Sequence, residues 1–178
     1  MHRVLALTTV VLCATPAISD PLPQPRTDFE TSSKGPAGTT FVYRHHEGKL
    51  RVDVSVPGTQ VAATSLVDIS TRKVVAMVGP ANAGMAVEID LNEAQLGLPP
   101  GLLDAKRVGA MSVAGEPCDL WEVTHPAPKL ASRSALPTAT ISCVTADGIP
   151  LRTETVTNNA HQVIMEATTV SRAAQDPN

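Results

Sequence analysis

The sequence predicts an all-β domain with little helix, a curved antiparallel sheet or incomplete β-barrel. Three observations predict it. Apolar and polar residues alternate at period two through much of the chain, turn residues separate these runs at short intervals, and no amphipathic run is long enough for a substantial helix. Strict alternation puts one apolar face on each strand. About ten such segments in hairpin order form a meander, which closes into a barrel, folds over as a sandwich, or stays open and curved.

The elements follow in order. Met1-His2-Arg3 is a short basic start, Val4 to Ala14 an apolar run, and Pro16, Ala17 and Ser19 supply a break and small residues. That order is a secretory signal peptide over residues 1–19, cleaved at Ala17-Ile18-Ser19, and the run is too short to span a membrane. A buried N-terminal strand or helix is the competing reading. Cys13 follows Leu12 rather than the small residue that a lipid-anchored cysteine wants, so it reads as part of the signal core. Residues 20–38 hold four prolines and two glycines with no period, an extended or mobile lead-in to a single β domain over 39–178.

Within that domain, Thr39 to His45 pairs with Lys49 to Val56 across His46-Glu47-Gly48. Thr64 to Ser70 meets Lys73 to Val78 at Thr71-Arg72, read as a tight hairpin. Met85, Val87, Ile89 and Leu91 alternate with polar or small residues, and Asn92 to Leu96 offers one helical turn before Pro99-Pro100-Gly101. Arg107 to Val113, Pro117 to His125 and His161 to Arg172 are further strands, and Thr138 to Ala146 and Ile149 to Thr157 flank the turn signal Asp147-Gly148. Val74 to Val78 and Val163 to Met165 are apolar on both faces, so both faces of those strands need cover from protein or ligand.

Two cysteines remain after the signal segment, Cys118 and Cys143, and an even count in an exported chain points to a disulfide. Closing that loop of about 25 residues stabilises by about 3 kcal/mol in the chain-entropy model. A pair of metal-ligand thiolates is the alternative, without CxxC spacing or clustered histidines behind it. A net charge of -3, scattered Lys and Arg, and one Trp, one Tyr and two Phe argue against nucleic-acid binding.

The run Val113-Ala114-Gly115-Glu116-Pro117-Cys118-Asp119-Leu120-Trp121 and the later Cys143-Val144-Thr145-Ala146-Asp147-Gly148-Ile149-Pro150-Leu151-Arg152 together form a pattern. A "G-x-x-C-x-x-aromatic" strand precedes a "C-x-x-x-D-G-x-P-L-R" hairpin, and this resembles the DUF4412-type periplasmic proteins, relatives of the LolA/LolB-like lipoprotein carriers. Lys49 to Asp53, Leu66-Val67-Asp68 and Gln175-Asp176-Pro177 fit the same plan, so the resemblance spans about Phe41 to Pro177. It implies a curved, incomplete barrel whose apolar concave face holds acyl chains or an apolar partner. The scarcity of helix departs from LolA, whose helices plug its cavity.

Residue chemistry gives no catalytic constellation, no metal site and no cofactor motif. His45 and His46 are adjacent and point to opposite faces of a strand, His125 opens a loop, and His161 opens the last strand. Asp53, Asp68, Glu88 and Asp90 fall on solvent faces, and no Gly-x-Ser-x-Gly elbow, Walker loop or HExxH occurs. The candidate cavity lining is Leu50, Val52, Val54, Met77, Met85, Val87, Ile89, Trp121 and Met165, with methionines suited to variable acyl chains. Each of these is alternatively plain core, and Trp121 reads first as a core anchor. The expectation is an exported, non-enzymatic binding protein for a lipid, acyl chain or lipidated partner. The alternative is a cell-envelope interaction module with a filled core that recruits a protein through a strand edge.

Overall fold

The structure is a computed structural model describing residues 22–58, 62–71, 73–79, 84–90, 105–124 and 137–173. The first strands are β1 Phe29–Lys34, β2 Thr40–His46, β3 Lys49–Ser55, β4 Ala62–Asp68, β5 Lys73–Val78 and β6 Met85–Asp90. The later ones are β7 Ala105–Val113, β8 Glu116–Thr124, β9 Ala139–Val144, β10 Pro150–Thr157 and β11 Ala160–Ser171. They form one open sheet of order β6-β5-β4-β3-β2-β1-β11-β10-β9-β8-β7, antiparallel throughout. The expected all-β antiparallel architecture is what the chain adopts. Two meanders grow outward from the centre, where β1 pairs with β11. The signal-peptide segment, Asn92 to Leu96 and His125 lie outside the described residues.

The two halves of the sheet differ in regularity. From β1 to β6 the register runs without a shift. Shifts occur at Ser32/Ser33 against β11, at Thr153/Glu154, at Pro150/Arg152 and at Arg107/Gly109. Bulges bend a strand and tighten its twist, so the half from β11 to β7 curls. Its curvature is visible in two places. β11 touches β7 across three intervening strands, which in a flat sheet would hold them about 19 Å apart. Arg172, just past β11, spans to β8 and to the β9–β10 turn: Nη1 and Nη2 donate to Glu116 Oε1 and Oε2 (3.0 and 3.1 Å) and Nε to Asp147 Oδ2 (2.8 Å).

The main core joins both halves: Phe29, Tyr43, Leu50, Val52, Val67 and Val74 cluster with Val113, Ile149, Leu151, Met165 and the disulfide Cys118–Cys143. That bond links β8 to β9, with Cα atoms 5.4 Å apart. Leu120 stands opposite Cys143, so Cys118 is its diagonal neighbour on one face. A second cluster gathers Leu22, Ala105, Trp121, Val123 and Val144.

Three sequence expectations change. The stretch 20–38, read as an extended or mobile lead-in, contains β1, a central strand with Phe29, Thr31 and Ser33 buried. Thr and Ser register as polar in a hydropathy pattern, yet they are small enough to pack between neighbouring strands. The residues before β1 are fastened too. The Arg26 N–H donates to the Asp147 carbonyl (3.2 Å), and His45 Nδ1–H donates to the Thr27 carbonyl (2.9 Å). The turn expected at Thr71-Arg72 already begins at Ile69, because Asp68 Oδ1 accepts the Ser70 and Thr71 N–H groups and ends β4 early. The Asp147-Gly148 connection likewise widens to 145–149, where Thr145 Oγ1 accepts the Ile149 N–H (2.9 Å).

Candidate functional site

Unbroken register in β1 to β6 places directly opposed residues in rows across the strands, and alternate rows share a face. One face carries three rows. The first is Phe29, His45, Leu50, Val67, Val74 and Ile89; the second Thr31, Tyr43, Val52, Ser65, Ala76 and Val87; the third Ser33, Phe41, Val54, Ala63, Val78 and Met85. In the first row every residue from Phe29 to Val74 is buried. Burial then fades diagonally toward one corner, where Val78 and Val87 are each 51 % exposed and Met85 75 %. An apolar face that is sealed at β1–β3 therefore opens at the end of β5 and start of β6.

The candidate lining residues sort against this map. Leu50, Val52, Val54, Met85, Val87 and Ile89 share the face by register, with Leu50 and Val52 buried in the main core and Met85 and Val87 in the open corner. Met77 stands on the opposite face, in the row of Asp53, Thr64 and Ala86. Met165 is buried in the main core on β11, and Trp121 in the second cluster beside Leu22. The nine residues thus do not form one lining.

Among the described residues the histidines make structural contacts. His45 is buried and stacks on Phe29 at 5.6 Å. His46, on the other face, holds Asp28 through Nδ1 (2.8 Å), and that hydrogen bond raises its pKa above 6.5. His161 Nδ1 lies 3.1 Å from Glu154. Burial pushes the Tyr43 phenol up to about 12, which keeps it neutral.

A groove of about 780 Å³ lies on the opposite face from the open corner, and sequence reasoning missed it. Its main row is Glu30, Arg44, Arg51, Leu66, Val75 and Glu88, with His46, Lys49, Asp68 and Lys73 in the adjacent row. Arg44 and Arg51 stand directly opposite each other, an arrangement that repels unless carboxylates intervene. They do intervene: Arg44 Nε donates to Glu30 (2.7 Å), Arg44 Nη1 to Asp53 (2.8 Å) and Arg51 Nε to Asp53 (2.9 Å). Burial pushes the Asp53 pKa up, but hydrogen bonds from Arg51 and Thr64 and the two arginine charges outweigh it and hold the carboxyl below its usual range. The available signal was the hairpin itself, since a two-residue turn at Glu47-Gly48, both at positive φ, sets residue 44 opposite 51.

No protein-family profile and no curated protein matches the chain, so the DUF4412-type resemblance gains no support from a family match. Solved structures do match. A chain of the MucA/MucB complex of Pseudomonas aeruginosa is 16% identical over 85% of this chain and 54% of its own, with a TM-score of 0.50. This chain thus spans about half the length of that one. The hypothetical protein CT021 of Chlamydia trachomatis is 11% identical over 86% and 93%, at 0.46. A domain assigned to outer membrane lipoprotein sorting in Vibrio parahaemolyticus is 7% identical over 82% and 83%, at 0.36. Identities this low speak to fold alone, and of these three only the first reaches a TM-score of 0.5.

Proposed function

We propose that this chain is an exported, non-enzymatic binding protein that takes an apolar group, an acyl chain or a lipidated partner, against the open corner formed by Val78, Met85 and Val87. One observation carries the reading. The apolar face is continuous with the core yet ends in side chains 51 to 75 % exposed, and large contiguous exposed apolar surface marks a binding surface. The Met85 thioether adapts to chains of varied shape. The disulfide suits an oxidising compartment outside the cytosol.

A neutral apolar fluorophore such as N-phenyl-1-naphthylamine tests this site. The expected result is saturable 1:1 binding, displaced by a monoacylglycerol, and weakened at least tenfold in Val87→Asp, whose melting temperature stays near wild type. Saturable binding that Val87→Asp leaves intact refutes the site.

A second reading has its own support. β6 ends the sheet, and Met85 to Glu88 are exposed on both faces, so an extended segment of another protein could add to that edge. The fold neighbour from Pseudomonas aeruginosa was solved as a two-protein complex, a precedent for a protein partner on this architecture. Absence of fluorophore binding together with peptide capture at β6 favours this alternative.

A further inference from the structure

The groove on the face opposite the open corner is independent of that reading, and its residues have a chemistry of their own. Its main row crosses six strands, about 24 Å at the usual strand spacing, and its charge is uneven. Toward β2 and β3 stand Arg44, Lys49 and Arg51; toward β4 and β5 the floor is Leu66, 42 % exposed, and Val75. The local carboxylates do not use up the cationic donors. Glu30 and Asp53 engage Arg44 through Nε and Nη1, and Asp53 engages Arg51 through Nε. Arg44 Nη2 and both Arg51 Nη groups have no acceptor, and Lys49 no ion pair, among the described residues. Asp68 is occupied by the Ser70 and Thr71 N–H groups of its own turn.

We infer that this groove binds an anionic amphiphile, with its phosphate or carboxylate head at Arg44, Arg51 and Lys49 and its apolar body across Leu66 and Val75. Three points of geometry support that occupant. Guanidinium forks match the paired oxygens of phosphate and carboxylate. Asp53 holds both arginines from beneath, so their remaining donors are preorganised rather than loose. The next residues along the row are apolar, which adds affinity for a chain that a free inorganic anion cannot use. A volume of about 780 Å³ is that of a small-molecule site, not of a protein interface.

The test is an NMR titration of the folded protein with dodecyl phosphate, dodecanoate and inorganic phosphate, following Leu66 and Val75 methyls and the arginine side chains. Saturable binding of either amphiphile, with shifts at Leu66, Val75 and Arg51, is expected. Inorganic phosphate should bind at least tenfold more weakly. Arg51→Gln, which leaves Arg44 and Thr64 on Asp53, should weaken the amphiphile at least tenfold, as should Leu66→Gln, while Val87→Asp leaves it unchanged. Equal affinity in Arg51→Gln overturns the proposal. So do shifts confined to Val78, Met85 and Val87, which would put the amphiphile on the other face and leave the proposed function standing. Inorganic phosphate binding as tightly as dodecyl phosphate reduces the site to a simple anion site and overturns the amphiphile reading.

Discussion

Removing the Arg172 staple should loosen the curled half of the sheet by a measurable and pH-dependent amount. Arg172 makes a two-pronged contact with Glu116 at 3.0 and 3.1 Å and a third with Asp147 at 2.8 Å, with side chains 37, 32 and 28 % exposed. Buried charged hydrogen bonds contribute about 1.5–3 kcal/mol each, but partial exposure screens these toward the surface range, so about 1 kcal/mol per partner is the working figure. Arg172→Met should therefore cost about 2 kcal/mol and Asp147→Asn about 1 kcal/mol, with a coupling near 1 kcal/mol in the double variant. For a domain of this size 1 kcal/mol shifts the melting temperature by about 2–4 °C. The Arg172 hydrogen bond holds the Asp147 carboxyl below its usual range, even though burial pushes the other way. Its folded pKa thus lies below its unfolded value of about 3.9, so its contribution is present above that pH and disappears as pH falls through the folded pKa. Thermal melts of wild type, both single variants and the double variant, at pH 7 and at pH 3, read this directly. Zero coupling at pH 7, or a wild-type advantage over Asp147→Asn that persists undiminished at pH 3, would refute the reasoning.

Three further outcomes follow from the same structure. Replacing Cys118 and Cys143 together by Ala should cost about 3 kcal/mol in urea unfolding, since the bond closes a separation of 25 residues, and reductant should have no further effect on that variant. Gly148→Ala should destabilise at least twice as much as Gly48→Ala and open the segment before β1 to protease; both glycines have positive φ, but only at Gly148 would a Cβ collide with the Gln24 backbone and Pro25 nitrogen. His46 should titrate above 6.5 by NMR and move down in Asp28→Asn. Because its folded pKa is raised, the pair stabilises at low pH and loses its effect as pH rises through the folded pKa, so the wild-type advantage over Asp28→Asn should shrink across that rise.

How far the sequence discloses this molecule depends on where its residues are unambiguous. Leu50, Val52 and Val54 against Arg51, Asp53 and Ser55 have one reading, and the register follows it. Val74 to Val78 has two, because both parities are apolar. Met77 accordingly lies with Asp53 and Thr64 rather than with Val87. β1 escapes a hydropathy reading because its inward residues after Phe29 are Thr31 and Ser33. The open corner is likewise invisible in sequence. Val78 and Val87 look no different from Val52 and Val67, and their exposure depends on what the rest of the chain packs over them. The groove was closer to hand, but the connection read as His46-Glu47-Gly48 is the two-residue Glu47-Gly48, and only that shorter turn sets Arg44 opposite Arg51. Charges on a strand's outer face serve solvation as readily as binding, so their pattern alone does not mark a groove.

The division between the two halves of the sheet bears on how the proposed binding surfaces coexist with stability here. The disulfide, three of the four register shifts and the Arg172 contacts fall in the half from β11 to β7, the fourth shift lies where β1 meets β11, and the fastening of Arg26 reaches the same β9–β10 turn. The half from β1 to β6 keeps an unshifted register and has no cross-link among the described residues, yet it carries both the open corner and the groove. Exposed apolar side chains stabilise nothing in the free protein, and unspent cations opposite each other oppose folding slightly. Such features persist only where the remaining contacts over-determine the fold. The curled half supplies that surplus through β1, whose Phe29 and Thr31 are fully buried between β2 and β11. A substitution in the corner should therefore change binding before it changes stability, whereas one in the β9–β10 turn should do the reverse.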